Sequence, residues 1–190
     1  MSLDAAAVEL LGALAPVLGR LKARWYVFGA QAVNVWGTPR LSADVDATVQ
    51  WNGNPSALIR ELESAGLPGR IPLDDEFIRA TRVLPLIHPK TKMPLDLVLA
   101  GPGPEEEFLD RAVSADVGGI VVPLISPEDL VVTKILAGRP KDVEDVRGIL
   151  RKRRNELDLT RIRASLKNLE EGLGQSDLLR LFEQEIRAVP

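Results

Sequence analysis

Asp44-Val45-Asp46 heads a β-branched run that continues to Trp51, and it sets two carboxylates two residues apart. In a strand, residues i and i+2 face the same side, so the two acids are expected to project together. At about 5 Å they repel by about 3 kcal/mol at an effective dielectric near ~20. A divalent cation would reverse that balance and favour both ionised forms. Asp96 is a third acid, set in the otherwise apolar run Pro94–Ala100. An unpaired carboxylate is expensive to bury there. Beside the Asp44/Asp46 strand it would complete a three-carboxylate site, the donor set of two-metal phosphoryl transfer, as a ligand or as the base itself. Without a metal it needs a counter-ion, and Arg40 and Arg82 are the candidates. Asp-x-Asp also occurs as ordinary turn chemistry. The weight therefore lies in the order: a strand ending at Gly29, a short helix, Arg40 and Ser42, Asp-x-Asp, then a lone acid on a later strand.

Composition narrows the chemistry further. The 190 residues contain no Cys and a single His, His88. This excludes disulfides, zinc-thiolate sites, iron–sulfur clusters, cysteine nucleophiles and multi-histidine metal sites. Any metal must be held mainly by oxygen, which points to Mg²⁺ or Mn²⁺. Hydrophobic residues make up 45% and charged residues 27%, and the formal charge is −3. No apolar run is long enough for a membrane span, and the first residues do not read as a signal peptide. The expectation is a soluble, cytoplasmic protein without a membrane partner.

The elements that must position these residues follow from pattern. Residues 3–23 have helical Ala/Leu spacing, with Pro16 as a kink. Trp25–Gly29 reads as a buried strand, 30–37 as a short helix, 44–51 as a strand, and 54–66 as a helix capped by Asn54 or Ser56. Segments 80–87 and 94–100 read as an antiparallel hairpin, with Pro85 marking an edge or bulge. A helix is expected from about Pro104 to Val113, and a strand over 118–125. From Ser126 onward the pattern is helical, and Ser126-Pro127-Glu128-Asp129 is a strong helix start. The expected organisation is mixed α/β over 1–125, followed by a helical subdomain over 126–190.

At these residues the chain resembles the nucleotidyltransferase superfamily with a DNA polymerase β-like palm. It is most similar there to bacterial abortive-infection nucleotidyltransferase toxins and their uncharacterised relatives. The matching early block is Gly29-Ala30-Gln31-Ala32, then Arg40-Leu41-Ser42-Ala43-Asp44-Val45-Asp46. The later block is Lys134, Arg139, Asp142 and Asp145. The resemblance covers roughly residues 25–150. It implies an α+β fold, a mixed sheet flanked by helices with a helical C-terminal tail. It implies a catalytic core over 1–125 that moves an NMP from an NTP to a hydroxyl acceptor with Mg²⁺ or Mn²⁺.

The resemblance also implies roles. Asp44, Asp46 and Asp96 would be the catalytic and metal-binding acids. Gly29 and Ala30 would turn backbone N–H groups toward the phosphates. Arg40 and Ser42 travel with that motif as nucleotide-site residues, Arg40 contacting phosphate or bracing the Asp-x-Asp loop. Lys134 would reach the triphosphate, and Asp142 or Asp145 would orient Lys134 or line the acceptor site. The implied acceptors are RNA, a tRNA end among them, or protein, with a small hydroxylated molecule such as an antibiotic as the alternative. A cognate antitoxin is an implied partner. The chain departs from the family's Gly-Gly or Gly-Ser pair at Ala30, which keeps the N–H but lacks the hydroxyl and glycine's freedom. That departure supports a second alternative, a non-catalytic nucleotide- or partner-binding relative.

Charge and helix chemistry offer plainer readings of the later block. Between Lys134 and Lys167 there are eleven basic and five acidic side chains, a net of +6 that leaves −9 on the rest of the chain. A basic lobe beside an acidic one suits a polyanion on the first and a metal on the second. The run Arg151–Arg154 would equally suit a solvated helix end. Lys134 could snorkel outward from an apolar helix, and Asp142 and Asp145 suit the first turns of the helix that Pro140 begins.

Overall fold

The computed structural model describes residues 5–189; the first two residues of the expected helix over 3–23 lie outside that range. Among the described residues the elements are α1 Ala5–Arg20, β1 Trp25–Phe28, α2 Gly29–Trp36, β2 Val45–Val49, α3 Pro55–Ser64, α4 Asp75–Thr81, β3 Val83–His88, β4 Met93–Leu99, α5 Pro104–Asp110, β5 Val113–Val117, β6 Ile120–Leu124, α6 Pro127–Ala137, α7 Pro140–Arg153, α8 Leu159–Leu173 and α9 Leu178–Ala188. The fold class is mixed α+β, as expected. The chain divides into two units. One holds the residues up to Gln31 together with Leu41–Ile125; the other holds Ala32–Arg40 with the residues from Ser126 onward. Residues 32–40, read from sequence with the first part, group with the second.

The first unit is built on one six-stranded sheet in the order β3-β4-β2-β1-β6-β5. β2 runs parallel to β4 and antiparallel to β1, and β1 runs parallel to β6. Alternation sorts the side chains. Val45, Ala47 and Val49 on β2 pair with Leu95, Leu97 and Leu99 on β4, and of these only Leu99 is not fully buried. α1 packs against β4, β6 and α3, and its Leu10, Leu11, Leu14 and Leu18 have no exposed surface. The period of two then puts Asp46 and Asp96 together on the other face.

Two elements differ from the sequence reading. The helix over 104–113 stops at Asp110, and Val113–Val117 is an edge strand. Of its residues only Val117 is buried, so it lacks the apolar alternation that announces a strand. It forms because Gly118 (φ 65°) and Gly119 (φ 94°) make a two-residue turn that folds it back on β6. α4 was not expected. Asp74 caps it by accepting from the Phe77 N–H at 2.8 Å, and Asp75 and Glu76 in its first turn suit the helix dipole.

The second unit is helical apart from residues 37–40 and its connections. Ser126 caps α6 as the sequence predicted. Its hydroxyl oxygen accepts from the Asp129 N–H at 3.1 Å while the hydroxyl donates to the buried Asp129 carboxylate at 2.7 Å. α6 ends at Gly138 in the left-handed region. α7, α8 and α9 pack around it, burying Leu130, Val131, Ile135, Ile149, Leu166 and Phe182.

Candidate active site

β2 and β4 set the acids in register. Asp46 stands directly beside Asp96 on the neighbouring parallel strand. Phe28 on β1 lies opposite Asp46 on its other side, and Pro85 on β3 lies opposite Asp96. The result is one lateral row across the sheet: Phe28, Asp46, Asp96, Pro85. Phe28 and both acids are half-buried, while Pro85 is buried.

Gly29 explains how close the backbone comes. It sits at φ 62°, and a Cβ there would collide with Asp46 Oδ2 and stand 2.9 Å from Asp46 Cγ. Only a residue without a side chain lets the Asp46 carboxylate lie against the first turn of α2. The leading N–H groups of a helix have no intrahelical partner, which makes this turn a place for phosphate oxygens. Ala30 and Gln31 follow, both buried. The Gln31 side chain is 1% exposed, and neither its amide nitrogen nor its oxygen has a hydrogen-bond partner in the structure.

Asp44 precedes β2 by one residue rather than lying within it. Its Oδ1 accepts from the Ser42 hydroxyl at 2.9 Å. Asp96 Oδ1 accepts from the Arg70 guanidinium. Among the described residues no three His, Cys, Asp or Glu side chains stand as a ready metal cluster. The donor chemistry nonetheless fits a hard divalent cation: three carboxylates from one motif and one adjacent strand, beside a glycine-lined backbone turn. The counter-ion of Asp96 is therefore Arg70, not Arg40 or Arg82. Arg40 is engaged by Asp145, and Arg82 by Glu105 and the Leu99 carbonyl. Sequence reasoning missed Arg70 because it lies in an irregular stretch without a motif; the only signal was that Asp96 required some cation.

The second unit gathers the remaining predicted residues. Lys134 is 6% exposed, and its Nζ stands 2.8 Å from Asp142 Oδ1 and 2.9 Å from Asp145 Oδ2. It does not snorkel. Arg40 grips Asp145 through Nε at 2.8 Å and Nη2 at 2.9 Å, the bidentate geometry that guanidinium favours. Arg139 adds a further donor to Asp142. Asp142 is fully buried and Asp145 is 5% exposed. Burial alone would raise both carboxyls. The hydrogen bonds and positive charges of Arg139 and Lys134 together outweigh it at Asp142, and those of Arg40 and Lys134 do so at Asp145, so both lie below the usual carboxylate range.

The basic run is also engaged. Arg151 pairs with Glu144 at 3.0 Å and Arg153 with Glu156 at 2.7 Å. Arg153 also lies over the Trp36 ring at 5.0 Å. Lys152 and Arg154 donate to the carbonyls of Gly37 and Val189. These contacts give each residue of the run a partner within the chain, while Arg151 and Lys152 remain exposed.

Comparison with known proteins agrees with this architecture. The family described as nucleotidyl transferase of unknown function (DUF2204) matches residues 103–180, the stretch that holds Lys134, Asp142 and Asp145. No curated protein sequence matches. Among solved structures, the antibiotic-resistance factor ANT(2'')-Ia is similar with a TM-score of 0.64 at 15% identity, over 90% of this chain and 95% of that one. An antigenic nucleotidyltransferase-like protein from Paracoccidioides brasiliensis gives 0.59 at 19% identity, over 96% and 94%. The lincosamide antibiotic adenylyltransferase LnuA, bound to lincomycin, gives 0.53 at 14%, over 78% and 96%. These solved structures show the fold: the chain has a nucleotidyltransferase-like fold, and part of it is similar to a nucleotidyl transferase family. No helix among the described residues is long and apolar enough to cross a membrane.

Proposed function

We propose that this chain is a divalent-metal-dependent nucleotidyltransferase that moves an NMP from an NTP to a hydroxyl acceptor. The observation that carries the reading is the register of Asp46 beside Asp96, with Asp46 lying against the bare Gly29 backbone at the start of α2. Asp44, Asp46 and Asp96 are the residues that would hold Mg²⁺ or Mn²⁺. When bound, the ion neutralises phosphate charge and lowers the pKa of an attacking hydroxyl. The chain's own groups do the rest. The first turn of α2, Gly29 and Ala30, offers backbone N–H groups to phosphate oxygens. Ser42 orients Asp44 by its hydroxyl. Asp96, beside Asp46, would ligate the ion or accept the proton of the acceptor hydroxyl. In the second unit, the Lys134, Asp142, Asp145 and Arg40 network fixes α6, α7 and residues 37–40 as one block.

The family resemblance favours an RNA or protein hydroxyl as acceptor. A small hydroxylated molecule is the second reading. It is favoured because two of the similar folds belong to an antibiotic-resistance factor and a lincosamide antibiotic adenylyltransferase, and because the basic run that suggested a polyanion is paired internally.

The test is transfer of label from each α-labelled NTP, with Mg²⁺ or Mn²⁺, into a total cell extract and into a panel of aminoglycoside and lincosamide antibiotics. Label should appear with wild type and fall more than about a hundredfold in Asp46→Asn, beyond the loss typical of an outer-shell partner. Sensitivity of the product to nuclease or protease, or its appearance only on a small molecule, assigns the acceptor. Equal labelling by Asp46→Asn would remove the proposal.

A further inference from the structure

Arg70 reaches the acid row by design of the backbone rather than by a chance surface approach. Gly69 bridges Leu86 on the outer edge of β3. The Arg70 N–H donates to the Pro85 carbonyl at 2.8 Å, and the Ile87 N–H donates to the Pro68 carbonyl at 3.0 Å. Residues 68–70 thus form a short rung outside β3. Pro85 pairs with Asp96 across β3 and β4, so Arg70 extends the row by one place: Asp46, Asp96, Pro85, Arg70. Pro85 presents no side-chain donor or acceptor, and the guanidinium passes it to end on Asp96 Oδ1. The two side chains are 33% and 37% exposed.

As a stabilising surface pair this contact is worth little. Its effect on a second cation at the same carboxylate is a different matter. A fixed positive charge beside the position of a divalent ion repels it, and it occupies an oxygen the ion would use. We propose that Arg70 is the resident counter-ion of Asp96: a positioning residue that holds the third carboxylate in the row and gives it up to the divalent cation. This rests on the metal reading of Asp44, Asp46 and Asp96 above.

The test is Mn²⁺ titration of the full chain without nucleotide, with free Mn²⁺ followed by electron paramagnetic resonance. Wild type, Arg70→Gln, Arg70→Lys and Asp46→Asn are compared, each checked for a cooperative melt. Arg70→Gln should bind Mn²⁺ about tenfold more tightly than wild type, because a competing charge is gone. Arg70→Lys, which keeps the charge, should stay near wild type. A purely structural Arg70 would lower the melting temperature without tightening Mn²⁺ binding, and that result overturns the proposal. So does Arg70→Lys tightening as much as Arg70→Gln. If neither wild type nor Arg70→Gln binds Mn²⁺, the metal reading itself fails, and the proposal with it. If both bind equally and Asp46→Asn does not, the metal reading stands and only the role of Arg70 is lost.

Discussion

The two units handle charge in opposite ways. In the second, Lys134, Arg40 and Arg139 meet Asp142 and Asp145 in a network whose acids and central lysine are almost wholly buried. In the first, Asp44, Asp46 and Asp96 come from one motif and one neighbouring strand and remain half-buried, and Arg70 reaches Asp96 at the end of their row. Buried charge that is fully answered holds structure and resists rearrangement. Half-buried carboxylates stay within reach of solvent and of a cation that would favour their ionised forms. The contrast separates a block of buried, paired charge from the half-buried row in which we propose a ligand site.

The sharpest way to break the contrast is Lys134→Met. It leaves Asp142 and Asp145 without their central cation in a buried setting, and removing one partner of such a pair costs about 3–5 kcal/mol. Chemical denaturation should show a loss of that order. A loss near zero would mean that Lys134 is not the keystone of the block.

Gly29→Ala acts on the other unit. The added methyl meets the Asp46 carboxylate and asks an L-residue to hold φ 62°, which alone costs about 1–2 kcal/mol. Nucleotidyl transfer should drop by about tenfold or more as Asp46 is displaced, with the helical second unit unaffected in hydrogen exchange. Full activity would show that Asp46 need not lie against the turn.

Acid separates the units in a third way. The Asp142 and Asp145 carboxyls are depressed below the ordinary value of 3.8. Their contribution to stability is complete above that value and is lost as pH falls through the lower folded-state values. Melting temperatures taken at descending pH should therefore fall along this limb in wild type. The limb should be shallower in the Asp142→Asn, Asp145→Asn double variant. The same slope in both would place the acid sensitivity elsewhere.

The smallest effect is expected at Arg153→Ala, which removes an exposed pair with Glu156 and a guanidinium over Trp36. Such contacts are worth about 0.5–1 kcal/mol. Transfer to any acceptor should be unchanged; a large loss for RNA alone would return the basic run to a nucleic-acid role.

What the sequence revealed follows from how local each signal is. Asp44-Val45-Asp46, Gly29 and the Ser126 cap are local patterns, and the strand, turn and helix they predict are present. That Asp46 and Asp96 share a level could not be read, because it depends on β2 and β4 pairing in parallel across the intervening residues 50–92. β5 was hidden because an exposed edge strand needs no apolar alternation, only a partner and a turn. α4 was legible in principle from Asp74 followed by Asp75 and Glu76. Lys134 was recognised as notable, but its burial between two acids depends on how α6 and α7 pack, which a helical pattern alone does not state. Arg70 had no motif and no element to carry it; its place comes from a backbone rung on β3.

The most direct test of the central claim is to follow stability and transfer together in Asp46→Asn. The account predicts that label transfer falls more than about a hundredfold while the metal-free protein keeps a cooperative melt close to that of wild type, since the isosteric amide preserves the shape of the row. Transfer retained alongside a clearly lowered melting temperature would contradict it, and would make Asp46 a structural residue of the sheet rather than the centre of a site.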